Sequence, residues 1–556
     1  MKKINFLLLL ILVNIFFSGC DIENGSDANS SFINISLKGN KKIYLNLGNK
    51  FNDPGATSIS KVDGNISDLI KVSDINSSTI GEKNVIYSVI DSSGRSATAI
   101  RKVIVEYNKT ITPYDTNTIF DKDEKYVYFA NPEEEEGGLN SVVRIDYKNM
   151  KKDKEVFCVG KNPHSIDRAG DSNKFYVRTQ DSNSFDVVNF ETGTVEKTVE
   201  IKFKNINLKG TNPRSIGAYN SKYHLQLLTG KHRPIIALID TTTDNIINIV
   251  GDSNIYNQDK IFDGHAFWFN EDYFGIIRAL NKCNDKYIIA LYKVYYDDYH
   301  NIKVKYMQQK LIFETKIHTV ERDLNPRNLN ELRSFYAFGF SMIKNKKYYP
   351  PYITEIIFNP KLGVIKKGRK VFLNKSIYKN GNLPFSHHGR VTSDHKYIVA
   401  PISDGKIYFI DRKSMKIARV IDSGYKKGLG AGHIEFSKKL KLGIVTNHHS
   451  NYLTILDVNS DNVNNYKILT QIKISEDIFN QAKKYNIQPH FAILSKDERY
   501  FYTADSHNGK FIRVDLKKIK DIINKGGIIS NNIDELIKED ILKIIDIGGV
   551  IEQSHS

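Results

Sequence analysis

Ser386-His387-His388-Gly389-Arg390-Val391 opens a segment that continues through Ser393-Asp394-His395-Lys396 and the apolar run Tyr397-Ile398-Val399-Ala400. It turns at Asp404-Gly405 and ends in Lys406-Ile407-Tyr408-Phe409-Ile410-Asp411. The same order returns at Pro489-His490-Phe491-Ala492-Ile493. There the polar turn is Lys496-Asp497-Glu498-Arg499, followed by Tyr500-Phe501-Tyr502-Thr503, His507-Asn508-Gly509 and Lys510-Phe511-Ile512-Arg513-Val514-Asp515. A third copy runs from Gly432-His433 through Gly443-Ile444-Val445-Thr446 to Leu453-Thr454-Ile455-Leu456-Asp457. Short apolar runs bounded by Gly, Asn and Asp read as strands, and their return at a fixed spacing marks a repeat.

Earlier copies open at Asn162-Pro163-His164-Ser165-Ile166 and Asn212-Pro213-Arg214-Ser215-Ile216. Eight segments open near 118, 162, 213, 264, 318, 386, 432 and 490; the fifth is the weakest, and merging it would leave seven. A period of about 45–60 residues with four short strands per copy is the arithmetic of a β-propeller blade. The expectation is therefore a seven- or eight-bladed β-propeller over residues 115–556, which removes exposed sheet edges by closing into a ring. The repeats resemble propellers of the YVTN/YncE type. Ser475 to Tyr485 reads as a short helix with Ser475 as N-cap. The segment after Asp515 reads as irregular, with Ile544-Ile545-Asp546-Ile547 the candidate strand for closing the ring against the first blade.

Residues 32–108 also alternate short strands with turns, in the smaller compass of a β-sandwich. Asp53-Pro54-Gly55-Ala56, Asp63-Gly64-Asn65-Ile66, Gly81, Tyr87, Asp91-Ser92-Ser93-Gly94 and Arg101-Lys102-Val103-Ile104-Val105 resemble the motifs of bacterial immunoglobulin-like domains. The resemblance implies a stalk or adhesive unit. The fold class expected for the whole chain is all-β, an Ig-like sandwich followed by the propeller.

The N-terminus carries an address. Lys2 and Lys3 precede an apolar stretch from Phe6 to Phe17, broken only by Asn14, and then Phe17-Ser18-Gly19-Cys20. The apolar stretch is too short for an ordinary membrane span. The tetrapeptide resembles the lipobox of bacterial lipoproteins. That resemblance implies a signal peptide over 1–20, lipidation of Cys20, a membrane partner held through that lipid, and a place in the cell envelope. Residues 21–31 are small and polar, as a flexible tether would be.

Hydrophobic residues make up 40% of the 556 and charged residues 26%, a balance that builds a core. The net charge of +17 is spread along the chain without any nucleic-acid-binding motif, so nucleic acid is not an expected partner. Three cysteines exclude a disulfide scaffold and multi-cysteine metal centres. Cys158 and Cys283 read as buried free thiols, and Trp268 as core. The glycine-rich Gly428-Leu429-Gly430-Ala431-Gly432 lacks the strand–turn–helix setting of a dinucleotide loop.

The histidines carry the functional expectation. In a blade, the inner strand starts at one mouth of the channel and the second strand returns to that mouth. His164, His265, His318, His388, His433 and His490 fall at or near inner-strand starts, with Arg214 in that place in its own repeat. His448, His449 and His507 fall in the turn after the second strand. Converging neutral imidazoles suit zinc or copper. The pattern partly resembles nitrous oxide reductase, periplasmic zinc chaperones of the propeller type and, more weakly, haem d1 propellers. The chain has neither the reductase's cupredoxin domain nor its paired-cysteine copper motif. The expected function is a lipid-anchored envelope binding protein capturing or delivering a transition metal. The alternatives are a metal-free platform for a protein partner or adhesion, and a metal-dependent oxidoreductase.

Overall fold

The structure is a computed structural model. It describes residues 32–547 except 47–49, 78–80, 107–117, 121–124, 132–140, 158–159, 161–162, 171, 180, 204–205, 208–212, 217–218, 221, 231–232, 234, 252–264, 281–282, 323–332, 345, 374–382, 387, 424–430, 448–449, 476–488, 490–491 and 506–508. The signal segment, Cys20, the tether, the acidic run Glu133–Glu136 and most of the helix expected at 475–485 lie outside the described residues. The chain divides into two compact units near residue 105.

The first unit has two antiparallel sheets. One joins Ile33–Leu37, Ala56–Ser60 and Gly64–Asn65; the other orders Lys42–Asn46, Ser96–Glu106, Gly81–Ile90 and Lys71–Val72. Alternation along Gly81–Ile90 buries Val85, Tyr87 and Val89 and leaves Ile86 and Ile90 exposed. The motif residues meet in one network. The fully buried Arg101 donates from Nε to Tyr87 Oη at 2.9 Å and from Nη2 to the carbonyls of Lys38 and Gly55 at 2.7 and 2.9 Å. Its Nη1 donates to Asn40 O, and Tyr87 donates its hydroxyl proton to Asp53. One guanidinium thus satisfies three backbone carbonyls that a sandwich edge would otherwise bury.

Among the described residues the second unit contains eight four-stranded antiparallel sheets, each built from one continuous segment of the chain. Their inner strands are Thr118–Phe120, Pro163–Arg168, Pro213–Ile216, His265–Trp268, Ile317–Arg322, Arg390–Val391, Ala431–Ser437 and Ile493–Leu494. We number the blades 1 to 8 in that order. Blade 5 is a full blade; an extra hairpin, Met342–Lys344 with Lys347–Tyr349, sits between its second and third strands. That insertion is what blurs its repeat.

The strand-ending Asp has a local role. Asp146 and Asp411 accept the backbone N–H three residues on, from Asn149 at 3.0 Å and Ser414 at 2.7 Å. The turn then closes on a residue of positive φ, Met150 or Met415. Asn189 and Gly193 build the same turn in blade 2. A short side-chain acceptor at the turn's first position is the general device.

Each blade packs against the next through its own apolar cluster. Tyr128 and Val142 meet Phe175 and Phe190 between blades 1 and 2, and Leu225 and Leu227 meet Trp268 and Phe274 between blades 3 and 4. Trp268 is 1% exposed and is core. Phe267 and Phe269 meet Phe335 and Phe358 between blades 4 and 5.

The closing strand differs from expectation. Leu542–Asp546 pairs with Lys510–Asp515 and completes blade 8 as its outer strand. Blade 1 already has four strands of its own, and among the described residues no strand is shared across the seam. The ring closes by packing instead: Val127, Phe129, Val143 and Ile145 of blade 1 join Tyr502, Ala504, Phe511 and Ile547. The stretch after Asp515, expected to be irregular, holds two helices, Leu516–Asn524 and Ile533–Lys538. Asp515 and Asn532 are their N-caps, and Leu516, Ile519, Ile533 and Leu536 are buried in the core between blades 7 and 8.

Candidate functional site

Four of the inner strands, in blades 2, 3, 5 and 7, start with one backbone device. In blade 2, Pro163 pairs with Thr179 and Ser165 with Arg178, so His164 is an extra residue. In blade 3, Arg214 is extra between the pairs Pro213–Gly230 and Ser215–Thr229. In blade 5, His318 is extra between Ile317–Gly339 and Thr319–Phe338. In blade 7 the register slips by one between Ala431–Asn447 and Ile434–Val445, a stretch that holds Gly432 and His433. A β-bulge of this kind bends the strand and re-aims the side chains beside it. His265 is different: it pairs directly with Ile277, without a bulge, and is 2% exposed.

Two of the expected residues are seen in contact. The imidazoles of His388 in blade 6 and His433 in blade 7 stack, with centroids 4.2 Å apart and planes 26° from parallel. The His433 N–H donates to Thr446 Oγ1 at 3.0 Å, which fixes its strand on the neighbouring one. Asn447 ends that second strand and donates from Nδ2 to Tyr452 O at 2.8 Å and to Thr454 Oγ1 at 3.0 Å.

His448, His449, His490 and His507 lie outside the described residues. His164 and His318 are placed in their strands by the backbone alone, as is Cys283, and Cys158 lies outside the described residues. Among the described residues no three His, Cys, Asp or Glu side chains gather as a metal site.

Further along the same inner strands, two residues after His388 and His433 and three after His318, lies a charged group absent from the sequence expectations. Arg390 donates from Nε and Nη2 to Glu435 Oε1 at 3.0 and 2.8 Å. Its Nη1 reaches Glu321 Oε2 at 3.4 Å. The three residues come from blades 6, 7 and 5, so one guanidinium ties three inner strands together. Burial disfavours the charge on Arg390, but the two carboxylates outweigh it and hold its pKa above the ordinary arginine value. The Glu321 side chain is 7% exposed, against 26% and 25% for Arg390 and Glu435. The alternation His388-x-Arg390 and His433-x-Glu435 was the available signal, since residues two apart share a strand face.

Residues 35–105 match the model of a family described as bacterial surface protein, Ig-like domain. No curated protein matches the chain. Several solved structures are similar at low identity. Hydrazine synthase of Kuenenia stuttgartiensis shares 13% identity over 74% of this chain and 97% of its own, with a TM-score of 0.40. Apo AztD from Citrobacter koseri shares 12% over 68% and 89%, with a TM-score of 0.41. The C-terminal WD40 domain of Sif2 shares 11% over 71% and 94%, with a TM-score of 0.45. With the eight blades described above, the family match makes this chain one that carries a bacterial surface Ig-like domain followed by a propeller.

Proposed function

We propose that this is a cell-envelope binding protein, anchored through lipidated Cys20, whose propeller captures a transition metal, zinc or copper, at the histidine-bearing end of its inner strands. The observation that carries the reading is the His388–His433 contact across two blades at 4.2 Å. The contact joins two imidazoles from neighbouring blades, each of which carries a nitrogen donor. The backbone sets His164 and His318 at the bulged starts of two further inner strands. Neutral imidazole is the donor form, so capture weakens as pH falls below the histidine range. His388 and His433 would hold the ion in part, with further donors drawn from His448, His449, His490 and His507.

The test is metal analysis of the full chain purified without chelator. The expected result is zinc or copper in stoichiometric amount, lost when His388, His433 and His490 are all replaced by Ala. Metal-free protein whose melting temperature is unmoved by zinc or copper would overturn the reading and leave the platform function. A second observation favours that alternative: the long hairpin Cys283–Tyr296/Ile302–Phe313 of blade 4 carries partly exposed Tyr295, Tyr296 and Tyr306 with Tyr299, 86% exposed, at its tip.

A further inference from the structure

The outer hairpin of blade 4 is longer than its counterparts. Cys283–Tyr296 and Ile302–Phe313 have 14 and 12 residues, against 6 and 7 in Lys406–Asp411 and Lys416–Asp422 of blade 6. A bulge divides its outer strand. Ala290 pairs with Lys310 and Tyr292 with Tyr306, which leaves extra residues on the outer strand, and Gln308 there has a φ of 57°. At the bulge, Gln309 ties the strand to blade 5: its Oε1 accepts from Ile365 N at 2.8 Å and its Nε2 donates to Gly363 O at 3.4 Å. Beyond the bulge, Ile302–Tyr306 runs on as the last strand of its sheet, and among the described residues no strand pairs with its outer edge. An open edge of this kind is a template for a further strand.

The two faces of this edge differ in chemistry. Val294 pairs with Val304 and Tyr296 with Ile302. That face leans on blade 3, where Ile302 and Val304 join the cluster of Tyr223 and Leu225, and Tyr296 meets Tyr223 at 5.1 Å. On the opposite face Lys293 pairs with Lys305 and Tyr295 with Lys303. Like charges directly opposite each other across two strands are destabilising.

The lysine face keeps a positive surplus after every nearby acid is assigned. Lys303 Nζ is matched by Asp297 Oδ2 at 3.4 Å, and Asp297 is also held by its turn, accepting from Tyr299 N and Asn301 N at 3.0 and 2.8 Å. Lys293 lies over the ring of Tyr273 at 5.7 Å, and Lys305 is exposed. Neither makes an ion pair among the described residues. The remaining carboxylate of the hairpin's outer half, Asp298, is exposed at the tip. The outer strand of blade 5, Val364–Phe372, brings no acid of its own: Lys367 and Lys370 share Glu314, and Arg369 is taken by Glu355.

We propose that the edge Ile302–Tyr306 takes an extended acidic segment of a partner protein as a fifth strand of blade 4. The segment's main chain pairs with the open edge. Every second side chain is a carboxylate set beside Lys293, Lys303 and Lys305, and the intervening ones are β-branched and lie beside Ile302, Val304 and Tyr306. The same lysines exclude a second copy of this edge, because pairing two of them sets lysine beside lysine. The site is independent of the histidines.

The test is fluorescence anisotropy of the full chain with three short labelled peptides. One alternates glutamate and threonine, one alternates lysine and threonine, and the third is the glutamate peptide with alternate amides N-methylated, which removes strand donors. The expected result is saturable binding of the glutamate peptide at one site per chain, with the other two at least about ten-fold weaker. Lys303→Glu/Lys305→Glu should lose the glutamate peptide and take up the lysine peptide. If that reversal lowers the melting temperature, Lys305→Glu decides alone, because it breaks no ion pair. Lys517→Glu/Lys538→Glu, on the exposed faces of the blade 8 helices, carries the same net charge and should bind as the parent does. His388→Ala/His433→Ala should also bind as the parent does, so failure of the metal reading leaves this one standing. No binding of the glutamate peptide, equal binding of its N-methylated form, or equal loss in the blade 8 reversal would overturn the proposal. So would a dimer of the full chain that Lys303→Glu/Lys305→Glu disperses, since a second copy would then hold the edge.

Discussion

Phe129 of blade 1 and Phe511 of blade 8 pack with ring centroids 4.7 Å apart, and this contact closes the ring. Lys152 Nζ also reaches Ile547 O at 3.0 Å across the same seam. Among the described residues no strand crosses it, so side chains hold the first blade to the last, through packing and through hydrogen bonds from Lys152 and Arg513 to backbone carbonyls. Phe511→Ala should therefore cost about 3–5 kcal/mol, as a large aromatic truncation in a core does. The fluorescence of the single, buried Trp268 reports whether the loss spreads round the ring. Blades that unfold as one unit give one transition coincident with circular dichroism; an opened seam gives two.

The Arg390 network makes a second prediction. Arg390→Met leaves Glu321 and Glu435 facing each other without their cation. Breaking a fully buried pair costs about 3–5 kcal/mol; with Arg390 partly exposed the loss should be about 2 kcal/mol. Replacing both carboxylates by Gln along with Arg390→Met should recover most of it. Urea unfolding of the single and triple variants measures the difference. A triple variant no more stable than the single one would show that the guanidinium acts through packing.

Acid should weaken the boundary between blades 5 and 6 through Glu355. Burial pushes its pKa up, but hydrogen bonds from Arg369 and Ser334 outweigh this and hold it below its ordinary 4.5. A depressed folded value means the stabilisation is complete above the unfolded value and is lost as pH falls through the folded one. Glu355→Gln should therefore cost about 2 kcal/mol near neutral pH, the scale of hydrogen bonds to a charged group. The gap between variant and parent should begin to close as pH drops through the unfolded value and be gone below the folded one. Thermal melts of both proteins across the acid range check it.

Metal should stabilise the propeller if the histidine end binds it. Zinc or copper at a hundred times its dissociation constant adds about 2.7 kcal/mol. The gain should vanish in His388→Ala/His433→Ala and persist in Arg412→Gln, because Arg412 lies at the opposite end of blade 6 from His388. Calorimetric melts with and without metal read both variants.

The strand alternation, the Asp- and Asn-led turns and the repeated inner-strand openings were legible because they are local. A run such as Ile398-Val399-Ala400 is buried within its blade, and Asp411 caps its own turn with atoms three residues away. His164, His265, His318 and His433 could be placed on inner strands for the same reason, since each marks a position within its own repeat. The fifth blade was harder to read because the Met342–Tyr349 hairpin interrupts its period.

Tertiary structure decided the rest. That Leu542–Asp546 completes blade 8 depends on the chain folding back past two helices, and that His388 stacks on His433, that Arg390 joins three blades and that Arg412 reaches Tyr336 depend on contacts between separate repeats. Periodicity places a residue within its repeat. Only the curvature of the closed ring determines which neighbour's side chain it meets.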